Sequence, residues 1–183
     1  MMKALISIDY TNDFVADEGH LTAGKPAQAI EIAMYELTKK FINNQDAVFF
    51  TIDLHDLNDN YHPESKLFPL HNLRDTSGRL LYGKLGAYYQ EIKSLNNVFW
   101  LDKRHYSAFS GTDLDIRLRE RRITDLTICG VLTDICVLHT AIDAYNLGYQ
   151  ITIPKSAVAS LSESAKLFAL EHFKQVLGAK VID

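Results

Sequence analysis

The sequence predicts a three-layer α/β/α fold around a six-stranded, mostly parallel sheet. Three observations carry that prediction. Short apolar runs alternate with amphipathic stretches along the chain, the rhythm of βαβ crossovers. The short runs are almost continuously apolar, as strands covered on both faces are. Turn and cap residues (Pro26, Gly148, Pro154 and Gly178) stand where one kind of segment gives way to the next.

The first strand is Ala4-Leu5-Ile6-Ser7-Ile8. A loop with Gly19 and Gly24 follows, and Pro26 suits the first turn of a helix. From there Ile30, Met34, Leu37 and Phe41 form one apolar helical stripe, broken at Asn43-Asn44. Ala47-Val48-Phe49-Phe50-Thr51-Ile52 reads as a buried second strand from its β-branched and aromatic content. The stretch 53–97 is long and irregular, with one short helix expected near 85–92. Crossovers of this length are usually functional or disordered. Its three histidines and its aromatics favour function.

Val98-Phe99-Trp100-Leu101 is a third strand, and Thr112 is placed to cap a helix running to Arg121. Leu126 to Val131 is a fourth strand, followed by a helix from Thr133 or Asp134 to about Asn146. Gln150-Ile151-Thr152-Ile153 is a fifth strand, stopped by Pro154. Ala165, Ala169, Phe173 and Val176 stripe a last helix, and Lys180-Val181-Ile182 closes the sheet as a sixth strand. The expected organisation is a single domain over 1–183 with a long insertion at about 53–97.

Composition narrows the function. The 183 residues are 47% hydrophobic and 23% charged, the make-up of an ordinary globular domain. Nineteen basic against 23 acidic side chains give a net charge of −4, with no basic stripe to recognise nucleic acid. No apolar run approaches the roughly 18 residues of a membrane span, and no signal-peptide pattern opens the chain. Two cysteines are too few for a disulfide framework. The expectation is a cytoplasmic protein without a nucleic-acid or membrane partner. No glycine-rich phosphate or dinucleotide loop follows any strand.

In a parallel α/β sheet, ligands bind beyond the carboxyl ends of the strands. The residues just past strands one to four are Asp9, then Asp53 and His55, then Lys103, Arg104 and His105, then Thr133-Asp134-Ile135-Cys136. The fold gathers them at one edge. Cys136 falls in the first turn of a helix, where the dipole favours thiolate, the reactive form. Asp9 can act as its base and Lys103 as the cation that holds the anion. The N–H groups of Leu132 and Cys136 can form an oxyanion hole. A Cys–His pair with His139 or His105 is the alternative. Cys129 alternates within a strand and reads as core.

Asp53-Leu54-His55 sends a carboxylate and an imidazole to one side of an extended segment, donors that suit zinc, manganese or iron(II). With His71 and either Glu64 or His62 they can make a metal centre. Phe14, Phe68 and Tyr106 lie near these residues and can wall a flat aromatic substrate.

Several blocks, in order, resemble the nicotinamidases (pyrazinamidases) of the isochorismatase-like cysteine hydrolase superfamily. They are the stretch 4–14, Thr51-Ile52-Asp53-Leu54-His55, Phe68-Pro69-Leu70-His71, Asp102-Lys103-Arg104, the stretch 109–114, and Gly130-Val131-Leu132-Thr133-Asp134-Ile135-Cys136-Val137. The match spans essentially the whole chain and is most like the streptococcal-type nicotinamidases. The resemblance implies an amidohydrolase of linear carboxamides that converts nicotinamide to nicotinate and ammonia, with pyrazinamide as a further substrate. It implies a triad of Asp9, Lys103 and Cys136. The implied metal ligands are Asp53, His55 and His71, with Glu64 at the fourth position and His62 as its competitor. It also implies one divalent ion, zinc foremost with manganese or iron as alternatives, and a cis peptide before Leu132. The sheet order would be 3-2-1-4-5-6, and a homo-oligomer is expected. Carbamoyl amidases of the superfamily often lack the metal set, and isochorismatase lacks the cysteine, so both fit these residues less well. The complete triad likewise disfavours a non-catalytic scaffold.

Overall fold

The computed structural model describes residues 2–183. Strand β1 (Ala4–Ile8) is buried along its whole length, as is β2 (Ala47–Asp53). Beside them lie β3 (Val98–Lys103) and β4 (Asp125–Val131). The order β3-β2-β1-β4-β5-β7 includes β5 (Gln150–Pro154) and β7 (Lys180–Ile182), and the strand pairings are parallel. That path of six matches the order implied by resemblance.

The sheet nonetheless has seven strands, because Val158–Ala159 forms β6 against Gly130 and Val131 of β4. Strand β5 pairs with β4 only over Asp125–Thr127. After Pro154 a short turn returns the chain to the freed end of β4. Two residues are too few for a periodic signal, so β6 is a product of tertiary packing.

Alternate residues of the strands feed two cores. One lies under α1 (Asn12–Val15), α2 (Lys25–Gln28), α3 (Glu31–Asn43) and α4 (Gly83–Ile92), and includes Leu5, Phe14, Met34, Phe50 and Leu85. The other lies under α5 (Leu114–Glu120), α6 (Leu138–Asn146) and α7 (Glu163–Gln175), and includes Ile6, Phe49, Leu118, Ala141 and Phe173. Among the described residues no helix is long and apolar enough to cross a membrane.

Three helical expectations need correction. The helix expected from Pro26 is broken at Ala29–Ile30 into α2 and α3, since Ile30 is buried outside regular helix geometry. Helix α5 begins later than Thr112, with Asp113 at its N-cap; the Thr112 hydroxyl still accepts the Leu114 N–H at 3.2 Å. Val176 lies past the end of α7 and is exposed, and Leu177 fills the core position instead.

The sheet order reverses between β1 and β4, and there the two strands come very close. Gly130 has φ +116°, and a Cβ on it would stand 2.0 Å from the Ile8 carbonyl oxygen. Only glycine fits, so the backbones can meet at the crevice where such sheets bind ligands. The long crossover after β2 folds over this crevice. It contains α4 and two short 3₁₀ turns, Pro63–Lys66 and Ser77–Arg79.

Candidate active site

Asp9 follows the last residue of β1, with φ +53° turning its side chain off the strand line. Lys103 ends β3 and pairs in register with Asp53, which ends β2. Cys136 sits in a π-helical turn, Thr133–Val137, that leads into α6. Such turns often mark functional positions. The Lys103 Nζ lies 2.7 Å from Asp9 Oδ2, 3.6 Å from Asp53 Oδ1 and 3.7 Å from Cys136 Sγ. All four residues are buried.

Their charges follow from that packing. Burial would push the Lys103 ammonium toward neutrality, but Asp53 and Asp9 hold its pKa well above the ordinary lysine value. Burial likewise opposes ionisation of Asp53, yet Lys103, His55 and His71 keep its carboxyl well below the usual range. Asp9 is raised, because burial and the neighbouring Asp53 outweigh the pull of Lys103. It is the carboxylate more ready to take a proton.

The Cys136 thiol is also pushed well up, by burial first, against the stabilising Lys103. That corrects the expectation of a thiolate favoured by a helix dipole. Here desolvation and two nearby carboxylates oppose the charge. The sulfur rests as a thiol and needs a base. Neither histidine supplies one: His139 Nδ1 is bonded to the Ile135 carbonyl at 2.8 Å, and His105 is exposed, with its ring 6.2 Å from that of His62. Cys129 is core, its thiol directed at the Ile6 carbonyl and its pKa pushed up to about 12 by burial.

Beside this group, Asp53, His55, Glu64 and His71 turn one donor atom each toward a common point, all within 4.8 Å of one another. His55 Nε2 is 2.7 Å from Asp53 Oδ2. His71 Nε2 is 3.3 Å from the same oxygen and 3.7 Å from Glu64 Oε2. His71 Nδ1 donates to the Pro69 carbonyl at 2.8 Å, which leaves the lone pair on Nε2. Among the described residues, that buried Nε2 has no hydrogen-bond partner, nor has Asp53 Oδ1. Two imidazoles and two carboxylates with buried, unsatisfied atoms fit a divalent transition metal. His62 is turned away. Its Nε2 donates to the Arg104 carbonyl at 2.6 Å, and its Nδ1 accepts the Glu64 N–H at 3.3 Å. It caps the turn that presents Glu64.

Between the two groups lies a cavity of about 100 Å³, lined among others by Phe14, Phe68, Tyr106, Leu132, Ile135 and Cys136. Asp53 and Glu64 also reach it. All three aromatics expected as walls are present. Leu21, Thr22, Val131, Ile135 and Leu161 complete the lining, apolar or small side chains whose spacing carries no site signal in the sequence. The Phe14 ring packs on His71 at 5.2 Å between centroids. The Val131–Leu132 peptide is cis, and among the described residues the Leu132 N–H finds no acceptor.

A buried thiol, a carboxylate and an ammonium group converge with a metal-type donor set at the switch point of a parallel α/β sheet. The arrangement defines an α/β protein with a buried polar cluster at the wall of a small cavity. The isochorismatase domain matches residues 3–183, and the chain belongs to that family. It is 54% identical to the isochorismatase family protein PncA of Bacillus subtilis over the full length of both chains. The pyrazinamidase/nicotinamidase structure from Streptococcus mutans superposes with a TM-score of 0.97 at 66% identity, covering 98% of this chain and 99% of that one. The pyrazinamidase of Pyrococcus horikoshii in complex with zinc superposes with a TM-score of 0.86 at 26% identity, covering 100% and 99%.

Proposed function

We propose that this chain is a nicotinamidase, an amidohydrolase that converts nicotinamide and water to nicotinate and ammonia. The observation that carries the reading is the Lys103 ammonium set between the Asp9 carboxylate and the Cys136 sulfur at the wall of an aromatic cavity. The similarity to nicotinamidase and pyrazinamidase structures supports it.

Asp9 takes the proton of the Cys136 thiol while Lys103 balances the charge left on sulfur. The sulfur bonds to the amide carbon, and the developing oxyanion accepts hydrogen bonds from the Leu132 and Cys136 N–H groups. Asp9 returns its proton to the nitrogen as the C–N bond breaks, so ammonia leaves and a Cys136 thioester remains. Asp9 then draws a proton from water, whose oxygen adds to the thioester. Nicotinate departs and the thiol is restored.

Phe14, Phe68 and Tyr106 pack on the ring and exclude water from it. Asp53, His55, Glu64 and His71 would hold a divalent ion, zinc foremost with manganese or iron as alternatives, and this ion would supply a Lewis-acid contact that orients the pyridine nitrogen. Pyrazinamide, with a ring of the same size, fits the same reading. So do a role in recycling nicotinamide toward NAD, a cytoplasmic location and a homo-oligomeric assembly.

The test is ammonia release from nicotinamide by the purified protein, before and after chelation and after metal is restored. Release that falls on chelation and returns with metal supports the reading. No release, with metal present and Cys136 reduced, overturns it in favour of a carbamoyl-amide substrate.

A further inference from the structure

Asp13 is a buried carboxylate that the mechanism does not use; the residue is 4% exposed. Its Oδ2 accepts the backbone N–H of Asn72 at 2.7 Å. Its Oδ1 accepts the His20 backbone N–H at 3.3 Å and the His20 ring Nδ1–H at 2.9 Å. Burial would raise its pKa, but these hydrogen bonds bring the net shift below the ordinary aspartate value.

Asn72 is the residue after His71 and has φ +44°, in the left-handed region. That turn is held from two sides, by Asp13 at the N–H and by the Thr11 hydroxyl, which donates to Asn72 Oδ1 at 2.9 Å. The His71 ring is packed by Phe14, the neighbour of Asp13. One dipeptide, Asp13-Phe14, thus fixes both the backbone and the ring plane of His71.

The platform that carries Asp13 is itself tied down. The Asn12 N–H donates to the Leu80 carbonyl at 2.9 Å, Asn12 Nδ2 donates to the Ser77 carbonyl at 2.9 Å, and the Tyr82 N–H donates to the Tyr10 carbonyl at 3.0 Å. Gly78 packs directly against the carboxylate, where a Cβ would stand 2.2 Å from Asp13 Oδ2.

We infer that Asp13 is a positioning residue for the metal-binding group, acting on His71 through the Asn72 backbone. The inference rests on the metal-binding part of the proposed function and is independent of the substrate. Groups that orient a ligand from outside commonly change metal affinity by about 10–100-fold when lost.

The experiment measures the dissociation constant of zinc, and separately of manganese, by competition with a chromophoric chelator on the full-length protein stripped of metal. The variants are Asp13→Ala, Asp13→Asn, Gly78→Ala and His20→Ala, each checked for folding by circular dichroism. Asp13→Ala is expected to weaken binding by about 10–100-fold. Asp13→Asn is expected to weaken it less, since a carboxamide oxygen can still accept the Asn72 N–H. Gly78→Ala keeps every donor in the sequence but displaces the carboxylate, and should move affinity in the same direction as Asp13→Ala. His20→Ala removes an imidazole that is 71% exposed and leaves the Asn72 bond in place, so its affinity should match the wild type.

A general loss of stability would lower the apo melting temperature without this pattern of affinities. If Asp13→Ala does not fold, Gly78→Ala and Asp13→Asn decide. Folded Gly78→Ala and Asp13 variants that bind metal as the wild type does overturn the inference. A wild-type protein that binds no metal overturns the metal-binding reading itself, which is a distinguishable failure.

Discussion

The backbone N–H of Asp53 donates to Asp9 Oδ1 at 2.8 Å, joining the metal-type donor group to the acid beside Cys136. The bond runs between the carboxyl ends of β1 and β2, neighbours in the sheet. Asp53 then serves four partners at once: its amide holds Asp9, one carboxylate oxygen faces Lys103, and the other faces His55 and His71. The two halves of the site cannot move independently.

Replacing Cys136 by alanine removes the thiol that would form the proposed thioester. Ammonia release from nicotinamide should fall by more than about 10³-fold, because covalent catalysis is lost rather than weakened. The fold should survive, since a thiol-to-methyl change is small. A folded Cys136→Ala protein with substantial turnover would remove the covalent mechanism.

Lys103→Ala tests the buried charge balance. It leaves the Asp9 and Asp53 carboxylates without their shared ammonium, and breaking a buried ion pair costs about 3–5 kcal/mol. For a chain of this size, each kcal/mol moves the melting temperature by roughly 2–4 °C. Thermal unfolding should therefore shift down by several degrees or more, together with loss of activity. Lys103→Arg should not rescue turnover, because a planar guanidinium does not fit a site built for a point charge.

Chelation, or His71→Ala, should strip the metal and raise KM strongly, with metal content measured alongside kinetics. Glu64→Ala should lose metal, whereas His62→Ala should only weaken metal binding, because both His62 nitrogens are already bonded to backbone and the residue acts by capping the turn that presents Glu64. Metal retained by Glu64→Ala and lost by His62→Ala would reverse the assignment of the fourth ligand.

The thiol pKa values set a pH dependence. Both cysteines have raised pKa values, so both rest protonated at neutral pH. Alkylation by iodoacetamide requires thiolate, so the rate should climb as pH rises toward those values. Cys136 lines the cavity and should react first; Cys129 is fully buried and should react only on unfolding. Mass spectrometry of the alkylated peptides reads the order directly. Faster labelling of Cys136 at pH 6 than at pH 9 would contradict the assigned direction.

The strands and the residues that follow them are legible in the linear chain. Apolar runs such as Ala4-Leu5-Ile6-Ser7-Ile8 state their own burial, and the parallel architecture then sends Asp9, Asp53, Lys103 and Cys136 to one edge. Local chemistry suffices there because each strand's character and end are written in a few adjacent residues. Other features arise only from long-range packing. Strand β6 exists because β5 leaves β4 early, and the helix after Pro26 breaks because Ile30 enters the core. Glu64 turns inward from a turn capped by His62, which is itself bonded to the Arg104 carbonyl, 42 residues away. The Cys136 thiol pKa is raised by burial and by the Asp9 and Asp53 carboxylates at the ends of β1 and β2, an effect of distance and dielectric. A linear sequence carries neither distances nor solvent, so properties set by them appear only when the chain has folded.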